Sequence, residues 1–255
     1  MSSAKILSEK SGSTNIITIN RAADARNAVD PETADLLEAA FLAGERDDDI
    51  AVHILTGADG HFCAGADLKA VAEETGFKRT APMGPSWLEL TKLSIAAVEG
   101  HAVAGGLELS VLCDLRVAAR SAVFGVYCRR WGVPLIDGGT VRLPRLIGQS
   151  RAMDMILTGR PVGAEEALSF GLANRLVDDG AALSMALEMA EQLAAFPQDC
   201  MRNDRLSVIK QWGLPLQEAL QFEAEIGADS LRAGATDGAA RFAGGKGRSG
   251  DFGDI

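Results

Sequence analysis

The stretch Ala97–Asp114, AVEGHAVAGGLELSVLCD, is the part of the chain around which the rest is organised. The apolar run Ile95–Val98 predicts a short buried strand, His101–Gly106 predicts a tight turn of small residues, and an apolar helix is expected from Leu107. The Gly105-Gly106 pair removes two Cβ atoms where the helix begins, so a ligand can approach backbone N–H groups that have no partner within the helix. Because these groups lie at the positive end of the helix dipole, the turn suits an oxygen that gains negative charge.

Glu108 is the only charged side chain between His101 and Asp114, and it falls in the first turn of the predicted helix. Two interpretations of this carboxylate stay open from the stretch alone. An acidic residue near the third helical position often completes a helix cap and favours the helix dipole. A carboxylate among apolar neighbours is also suited to acid–base chemistry.

A second small-residue turn, Gly60–Leu68 (GHFCAGADL), follows an apolar strand predicted at Ala51–Leu55. Two strand ends that each carry such a turn into a helix can aim two backbone N–H groups at one point, which favours the catalytic interpretation of Glu108. Asp67 taken singly is better explained as a helix N-cap, because Asp is among the preferred cap residues.

Strands and helices alternate along the chain, which favours a layered α/β fold. Thr14–Asn20 alternates as a strand should, and Asp30-Pro31 predicts the start of a helix that runs to about Glu45. Ala181–Ala195 carries a helical apolar stripe that Pro197 ends, and Gln217–Leu231 is a further amphipathic helix. The segment between Glu73 and Pro85 is too rich in Gly, Pro and charge to pack regularly, and we predict a mobile loop over a cleft.

The composition is that of a soluble globular protein with a core large enough for one domain, or for one domain and an appendage. No apolar run approaches the roughly 20 residues that cross a bilayer, and the N-terminus lacks the apolar core of a secretory signal. We therefore expect no membrane partner and a cytoplasmic location. A net charge of −10 argues against nucleic acid as a partner. The four cysteines lack CxxC spacing, so buried thiols and no metal site are expected.

Together these motifs resemble the crotonase, or enoyl-CoA hydratase/isomerase, superfamily. The likeness runs from about Asn20 to Val177, with weaker echoes to Phe242. Its motifs are Asn20-Arg21 with Arg26–Ala28, Ala64–Leu68, Gly100–Leu109 with Cys113-Asp114, Gly138–Gly148, Leu157–Arg160, Ala164–Ala167 and Gly171-Leu172. The resemblance implies a crotonase-like spiral of ββα units with a C-terminal helical region. The break at Pro197 predicts a boundary between residues 1–196 and residues 197–255. The resemblance implies that the first part is an acyl-CoA-binding core and the second a helical assembly region, and it implies a homotrimer or a dimer of trimers.

The resemblance also assigns roles to individual residues. The thioester oxygen of an acyl-CoA would accept hydrogen bonds from the backbone N–H groups of Ala66 and Gly105, and Glu108 would move a proton beside it. Burial among apolar groups should raise the pKa of Glu108 toward working pH. Coenzyme A enters as part of the substrate, with no other cofactor required. Residues expected to bind it are Ala25, Arg26, Ala28, Ala64, Asp67 and Leu68; for Arg26, a solvated surface charge is the alternative.

One position departs from the family pattern. Typical hydratases carry a second glutamate a few residues after Phe-Gly, and here Phe124-Gly125 is followed by Val126-Tyr127-Cys128. A thiol cannot activate water as a carboxylate does, and a lone cysteine is better explained as a small apolar residue than as a nucleophile. Two-glutamate hydration is therefore in doubt.

Asp137 is the nearest replacement for the missing glutamate, because dienoyl-CoA isomerase-like members of the family place an aspartate within about one residue of it. The alternative is an Asx-type turn before Gly138-Gly139. Tyr127 and Trp131 are expected to line the acyl pocket, and Arg129-Arg130 to be surface residues.

Three hypotheses follow for the function. The first is an enzyme of the enoyl-CoA hydratase type, a lyase acting through an enolate. The second is another crotonase reaction, such as double-bond isomerisation or decarboxylation, with Asp137 as the acid. The third is an acyl-CoA-binding protein without turnover, against which the presence of Glu108 speaks.

Overall fold

The computed structural model describes residues 4–73, 80–250 and 252 of the chain. Its strands are β1 (Ile6–Ser11), β2 (Thr14–Ile19), β3 (Val52–Gly57), β4 (Leu93–Val98), β5 (His101–Val103), β6 (Leu115–Ala119), β7 (Val123–Gly125), β8 (Val162–Gly163) and β9 (Arg175–Val177). Its helices are α1 (Ala22–Ala25), α2 (Pro31–Arg46), α3 (Leu68–Ala72), α4 (Gly105–Leu112), α5 (Gly139–Ile147), α6 (Gln149–Thr158), α7 (Ala164–Phe170), α8 (Ala182–Ala195), α9 (Gln198–Lys210), α10 (Leu216–Ser230) and α11 (Thr236–Ala243). Within this part of the chain, no helix is both long and apolar enough to cross a membrane.

The strands form two sheets. The larger has the order β1-β2-β3-β4-β6-β9, antiparallel only at β1-β2, and the smaller has the order β5-β7-β8. Every residue of β4 is buried, since a central parallel strand is covered on both faces, which explains its unbroken apolar run. The antiparallel edge strand β1 is mostly exposed. For that reason it lacks the apolar signal by which β2, β3 and β4 were predicted.

The helix α2 shows how local sequence determines one element. Pro31 occupies its first position, and the Asp30 side chain accepts a hydrogen bond from the Thr33 N–H at 2.8 Å, as the Asp-Pro pair predicts. Leu37 and Phe41 on one face are fully buried against the sheet core. The predicted helix and its cap are therefore confirmed.

The region His101–Gly106 is more than the tight turn that the sequence predicted. Its first three residues form β5, which pairs in parallel with β7, and α4 begins at Gly105, two residues before the expected Leu107. The strand escaped prediction because three residues carry no periodicity, and its partner lies more than 20 residues further along the chain.

The chain divides into two compact units, Met1–Ala190 and Glu191–Ile255. The division falls inside α8, whereas the sequence placed the boundary between residues 196 and 197 at Pro197. The first unit holds both sheets and the central core. The second contains α9, α10 and α11, and the Asn203 side chain joins two of these helices by donating to the Ile226 carbonyl at 3.2 Å.

Candidate active site

The two glycine turns meet backbone to backbone. Gly65 has a φ of 96°, and a Cβ on it would lie 2.9 Å from the Gly105 nitrogen. A Cβ on Gly106 would lie 2.0 Å from the Cys63 carbonyl oxygen. Side chains at either position would push the turns apart, so both glycines are needed for the approach. The strand β5 continues the contact, because the Val103 N–H donates to that same Cys63 oxygen at 3.1 Å.

The N–H groups of Ala66 and Gly105 differ from those of their neighbours in their hydrogen bonding. Among the described residues, neither group donates to a protein acceptor, while Asp67 N–H and the Gly65 carbonyl both bond to Val29. Both residues line a cavity of about 250 Å³. The structure therefore places the two turns at one cavity.

Ala104, which precedes α4, has a strained backbone. Its φ of 54° and ψ of −125° lie outside the regions that L-residues ordinarily occupy, at a cost of about 1–3 kcal/mol. The Ala104 N–H donates to the Gly125 carbonyl at 2.8 Å, and its Cβ packs on Gly65. These contacts hold the backbone of Ala104, directly before Gly105, in this conformation.

Glu108 projects from the first turn of α4 into the same cavity and is only 2% exposed. Its Oε1 accepts hydrogen bonds from the N–H groups of Asp137 and Gly139, both at 2.9 Å. Burial raises its pKa to about 7, an effect that the Gly139 hydrogen bond partly offsets and the Asp137 charge reinforces. Its carboxylate bonds to the turn before α5, so the cap interpretation does not account for it.

Asp137 is buried beside Glu108 and lines the cavity. Its Oδ1 accepts hydrogen bonds from the Met83 N–H at 3.0 Å and from the Ser86 hydroxyl. Residues 81–86 are all buried. The predicted mobile loop is therefore wrong for this part, because Asp137 and the core hold it; residues 74–79 of that loop lie outside the described residues.

Cys128 lies in the cavity wall, where the sequence placed the missing glutamate. Burial raises the pKa of its thiol, and the charge of Glu108 raises it further, which indicates that the two side chains are neighbours. Tyr127 and Trp131 line the cavity as expected. Arg130 is exposed but also lines it, with its guanidinium 4.9 Å from the centre of the Tyr127 ring.

The residues predicted to bind coenzyme A fall into two groups. Arg26, Ala64 and Leu68 line the cavity, and Arg26 also lines a shallow outer depression with Ala25. The other two residues, Ala28 and Asp67, make structural contacts within the fold. Ala28 is buried, and its carbonyl accepts from Arg21. Asp67 caps α3 through the Lys69 N–H at 3.0 Å and pairs with Arg21 at 3.1 Å, which confirms the cap interpretation.

Comparison with known proteins identifies the family to which the chain belongs. Residues 9–243 match the family described as enoyl-CoA hydratase/isomerase. The chain belongs to this enoyl-CoA hydratase/isomerase family.

Family relatives cover nearly the whole chain. Enoyl-CoA hydratase EchA19 of Mycobacterium tuberculosis is 40% identical to it, over 87% of this chain and 86% of that protein. The (E)-benzylidenesuccinyl-CoA hydratase of Thauera aromatica is 36% identical, over 81% and 82%. The crystal structure of an enoyl-CoA hydratase from Mycobacterium tuberculosis superposes with a TM-score of 0.89 and 36% identity, covering 94% of this chain and 95% of that one. The crotonase fold and the hydratase/isomerase enzyme class are thereby confirmed.

Sequence reasoning missed three residues that shape the site of this hydratase/isomerase family member. Met83 and Ser86 bond to Asp137, and Arg142 donates to the carbonyl oxygens of Asp137 at 3.0 Å and Ser86 at 2.7 Å. Most of these partners are more than 50 residues apart in the chain, so no local pattern marks the pairing. Arg142 lies within the quoted Gly138–Gly148 motif, which was the one available signal.

Proposed function

We propose that the chain is an enoyl-CoA hydratase-like enzyme that binds an acyl-CoA thioester and stabilises its enolate. One observation carries this proposal: a buried carboxylate with a pKa of about 7 shares a cavity with two residues whose backbone N–H groups donate to no acceptor in the described part of the chain. An acid–base group is most effective when its pKa lies near the operating pH. The pairing of such a group with N–H donors is suited to moving a proton next to a carbonyl.

The thioester oxygen would lie between the N–H groups of Ala66 and Gly105. As the α-carbon gains carbanion character, negative charge moves to this oxygen, and two fixed donors stabilise it more in the transition state than in the ground state. The loss of one such donor typically costs about 3–4 kcal/mol in the barrier. The rigid contact between Gly65 and the Gly105 nitrogen supports this role, because preformed donors need no reorganisation.

Glu108 would act as the proton carrier. In hydration, it takes a proton from water while the water oxygen bonds to the β-carbon of the enoyl group, and the same carboxyl group then delivers that proton to the α-carbon of the enolate. Its ionised form starts the reaction, and the two N–H groups that bond to Oε1 leave the other carboxylate oxygen for substrate or water. The coenzyme A portion would extend past Ala64 and Leu68 toward Arg26, whose cation suits a phosphate. Ala25, Ala28 and Asp67 would support this path.

Double-bond isomerisation is a second candidate, and Cys128 favours it. Moving a double bond from the β,γ to the α,β position requires one base that removes a proton from the α-carbon and returns it to the γ-carbon. A single carboxylate can do both, whereas a two-glutamate hydratase divides the work between a group for water and a group for carbon. Glu108 alone meets the first requirement.

The test is a panel of enoyl-, 3-enoyl-, dienoyl- and malonyl-type CoA thioesters incubated with wild type and Glu108→Gln. Products are identified by mass and NMR. We expect hydration or isomerisation in wild type and a loss of about 10²- to 10⁴-fold in the variant. Binding without turnover of any thioester would leave the non-enzymatic hypothesis, and full turnover by Glu108→Gln would overturn the role of this residue.

We also propose assembly into a homotrimer or a dimer of trimers. The support is the family resemblance and the apolar surface of the second unit, where several large side chains of α9, α10 and their connection are exposed. They are Val208, Ile209, Trp212, Leu214, Leu216 and Leu220. Patches of this kind typically mark an interface. Light scattering on the purified protein measures the state directly, and a monomer would contradict it.

A further inference from the structure

Asp137 lies in the turn before α5 and connects that turn to the stretch Met83–Trp87, which lies beside the cavity. As described above, its Oδ1 accepts from the Met83 N–H and from the Ser86 hydroxyl. Arg142 spans the same junction by bonding to the Asp137 and Ser86 carbonyl oxygens, and the Trp87 indole donates to the Ile136 carbonyl at 3.3 Å. We call the stretch Met83–Trp87 the roof segment.

The roof segment is also held from its other side. Gly84 has a φ of 91°, and a Cβ on it would lie 2.4 Å from the Ala34 carbonyl oxygen in α2. Met83 and Ser86 are at most 1% exposed. The roof segment is therefore packed between α2 and the turn before α5, and Asp137 supplies its polar attachment.

The roof segment touches the proposed oxyanion site. A Cβ on Gly105 would lie 2.4 Å from the Met83 Sδ, so this thioether rests against the α-carbon of the residue whose N–H would bind the thioester oxygen. Through its own N–H, Asp137 also donates to Glu108 Oε1. Asp137 thus contacts both parts of the proposed site. Its carboxylate bonds to Met83, which packs on Gly105, and its backbone N–H bonds to Glu108.

We propose that Asp137 is a positioning residue, which fastens the roof segment over Gly105 and orients Glu108, and that it is not the second proton carrier. Its Oδ1 accepts from two donors that both belong to the roof segment, an arrangement that suits an ionised anchor. This inference rests on the proposed function, in which Glu108 moves the proton. With a thiol at position 128, the reaction then proceeds on one carboxylate.

Two substitutions at position 137 separate the alternatives. Asp137→Asn keeps a carbonyl oxygen that can accept from Met83 and Ser86, whereas Asp137→Ala removes the acceptor. For a positioning residue, we expect kcat to fall less than about tenfold in Asp137→Asn and about 10²-fold or more in Asp137→Ala, with Ser86→Ala in between. A proton carrier loses about 10²- to 10⁴-fold in both variants. Equal, large losses would overturn the proposal.

The pH profile supplies a readout that a purely structural role would not move. The charged or titratable groups that face Glu108 are Asp137, Cys128 and Arg142, and of these the Asp137 charge raises the pKa of Glu108. Asp137→Asn should therefore shift the rising limb of kcat/KM to lower pH. A kcat/KM profile whose inflection lies at the same pH as in wild type would contradict the contact between Asp137 and Glu108.

Hydrogen exchange tests the attachment without any substrate. Peptides that cover residues 81–90 should exchange faster in Asp137→Ala and at the wild-type rate in Asp137→Asn and Glu108→Gln. Ser184→Ala, which removes an exposed hydroxyl on α8, is the matched control for Ser86→Ala and should change neither kinetics nor exchange. If Glu108→Gln turned over substrate normally, the proposed function would fail. The exchange rates would still test whether Asp137 holds the roof segment in place. Unchanged exchange in Asp137→Ala would refute the attachment itself.

Discussion

At the scale of single residues, the ionised form of Glu108 that the reaction needs also lowers the stability of the folded protein. Burial raises its folded-state pKa to about 7, from an ordinary value of 4.5. Between these values the folded protein binds more protons than the unfolded chain, so the free energy of unfolding falls as pH rises through this window. Above pH 7 the protein is folded around a buried, ionised carboxylate, which is the state that the reaction needs.

The substitution Glu108→Gln should therefore stabilise the protein at pH 8 while it removes turnover. A Gln oxygen can still accept from the Asp137 and Gly139 N–H groups, and the amide carries no charge to bury. We expect a gain of up to about 3 kcal/mol in the free energy of unfolding at pH 8 that disappears near pH 4.5. Urea unfolding at both pH values measures it, and equal effects at the two would contradict the raised pKa.

Cys128 is the residue that distinguishes this site from a two-glutamate hydratase. Its side chain neighbours Glu108 in the cavity wall, so a carboxylate there would have the reach to handle water. We expect Cys128→Glu to create or raise hydration of crotonyl-CoA by about tenfold or more. Cys128→Gln is the matched control of similar size. Similar rates in the two variants, measured by loss of the enoyl absorbance, would show that a second carboxylate is not what the site lacks.

At the scale of elements, the site is a junction between two turns rather than a property of either helix. The turn before α3 supplies Ala66, the turn before α4 supplies Gly105, and glycines let the two backbones touch. The helix α4 then places Glu108 one turn beyond its own N-terminus. The separation of donors and carboxylate therefore depends on how closely the turns pack.

Gly106→Ala should break this junction. The new Cβ would lie 2.0 Å from the Cys63 carbonyl oxygen, which belongs to backbone and cannot rotate away. We expect a loss of about 3 kcal/mol or more in the free energy of unfolding, and little turnover in protein that remains folded. Gly163→Ala is the matched control, because nothing lies within 4 Å of its Cβ position, and it should stay within about 0.5 kcal/mol of wild type. Comparable losses in both would argue against the contact.

At the scale of the whole molecule, the half-buried carboxylate of Glu45 ties the large sheet to α2. Glu45 at the end of α2 bonds to His53 of β3 at 2.9 Å and to the Thr91 N–H at 2.9 Å, just before β4. Burial alone would raise its pKa, but these hydrogen bonds outweigh it and lower the pKa to about 2. Because the folded value is below the ordinary 4.5, the stabilisation is present above pH 4.5 and is lost as pH falls toward 2.

We expect acid unfolding to depend strongly on this residue. Wild type should lose on the order of 3 kcal/mol through Glu45 between pH 4.5 and 2, and Glu45→Gln should begin less stable and lose less over that range. Urea unfolding at intervals of pH measures the slope. Glu188→Gln, at an exposed position of α8, is the control and should leave the slope unchanged. The same slope in Glu45→Gln as in wild type would refute the assignment.

The sequence by itself determined the elements whose causes are local. The Asp30 cap and Pro31 begin α2, apolar runs predict β3 and β4, and glycines mark the two turns. The family and the role proposed for Glu108 also followed from these stretches, because a turn that exposes N–H groups needs glycine within a few residues. Periodicity, caps and backbone freedom operate over short distances and can be seen in one chain.

Only the tertiary structure decided which distant groups meet. The sequence left Asp137 between an acid and a turn residue, and the fold bonds it to Met83 and Ser86. It likewise buried residues 81–86, whose Gly- and Pro-rich composition had predicted a mobile loop, and made β5 a strand of a second sheet. These outcomes depend on partners that the chain brings together only on folding. Local preferences of a few tenths of a kcal/mol per residue are overridden by such burial and hydrogen bonding.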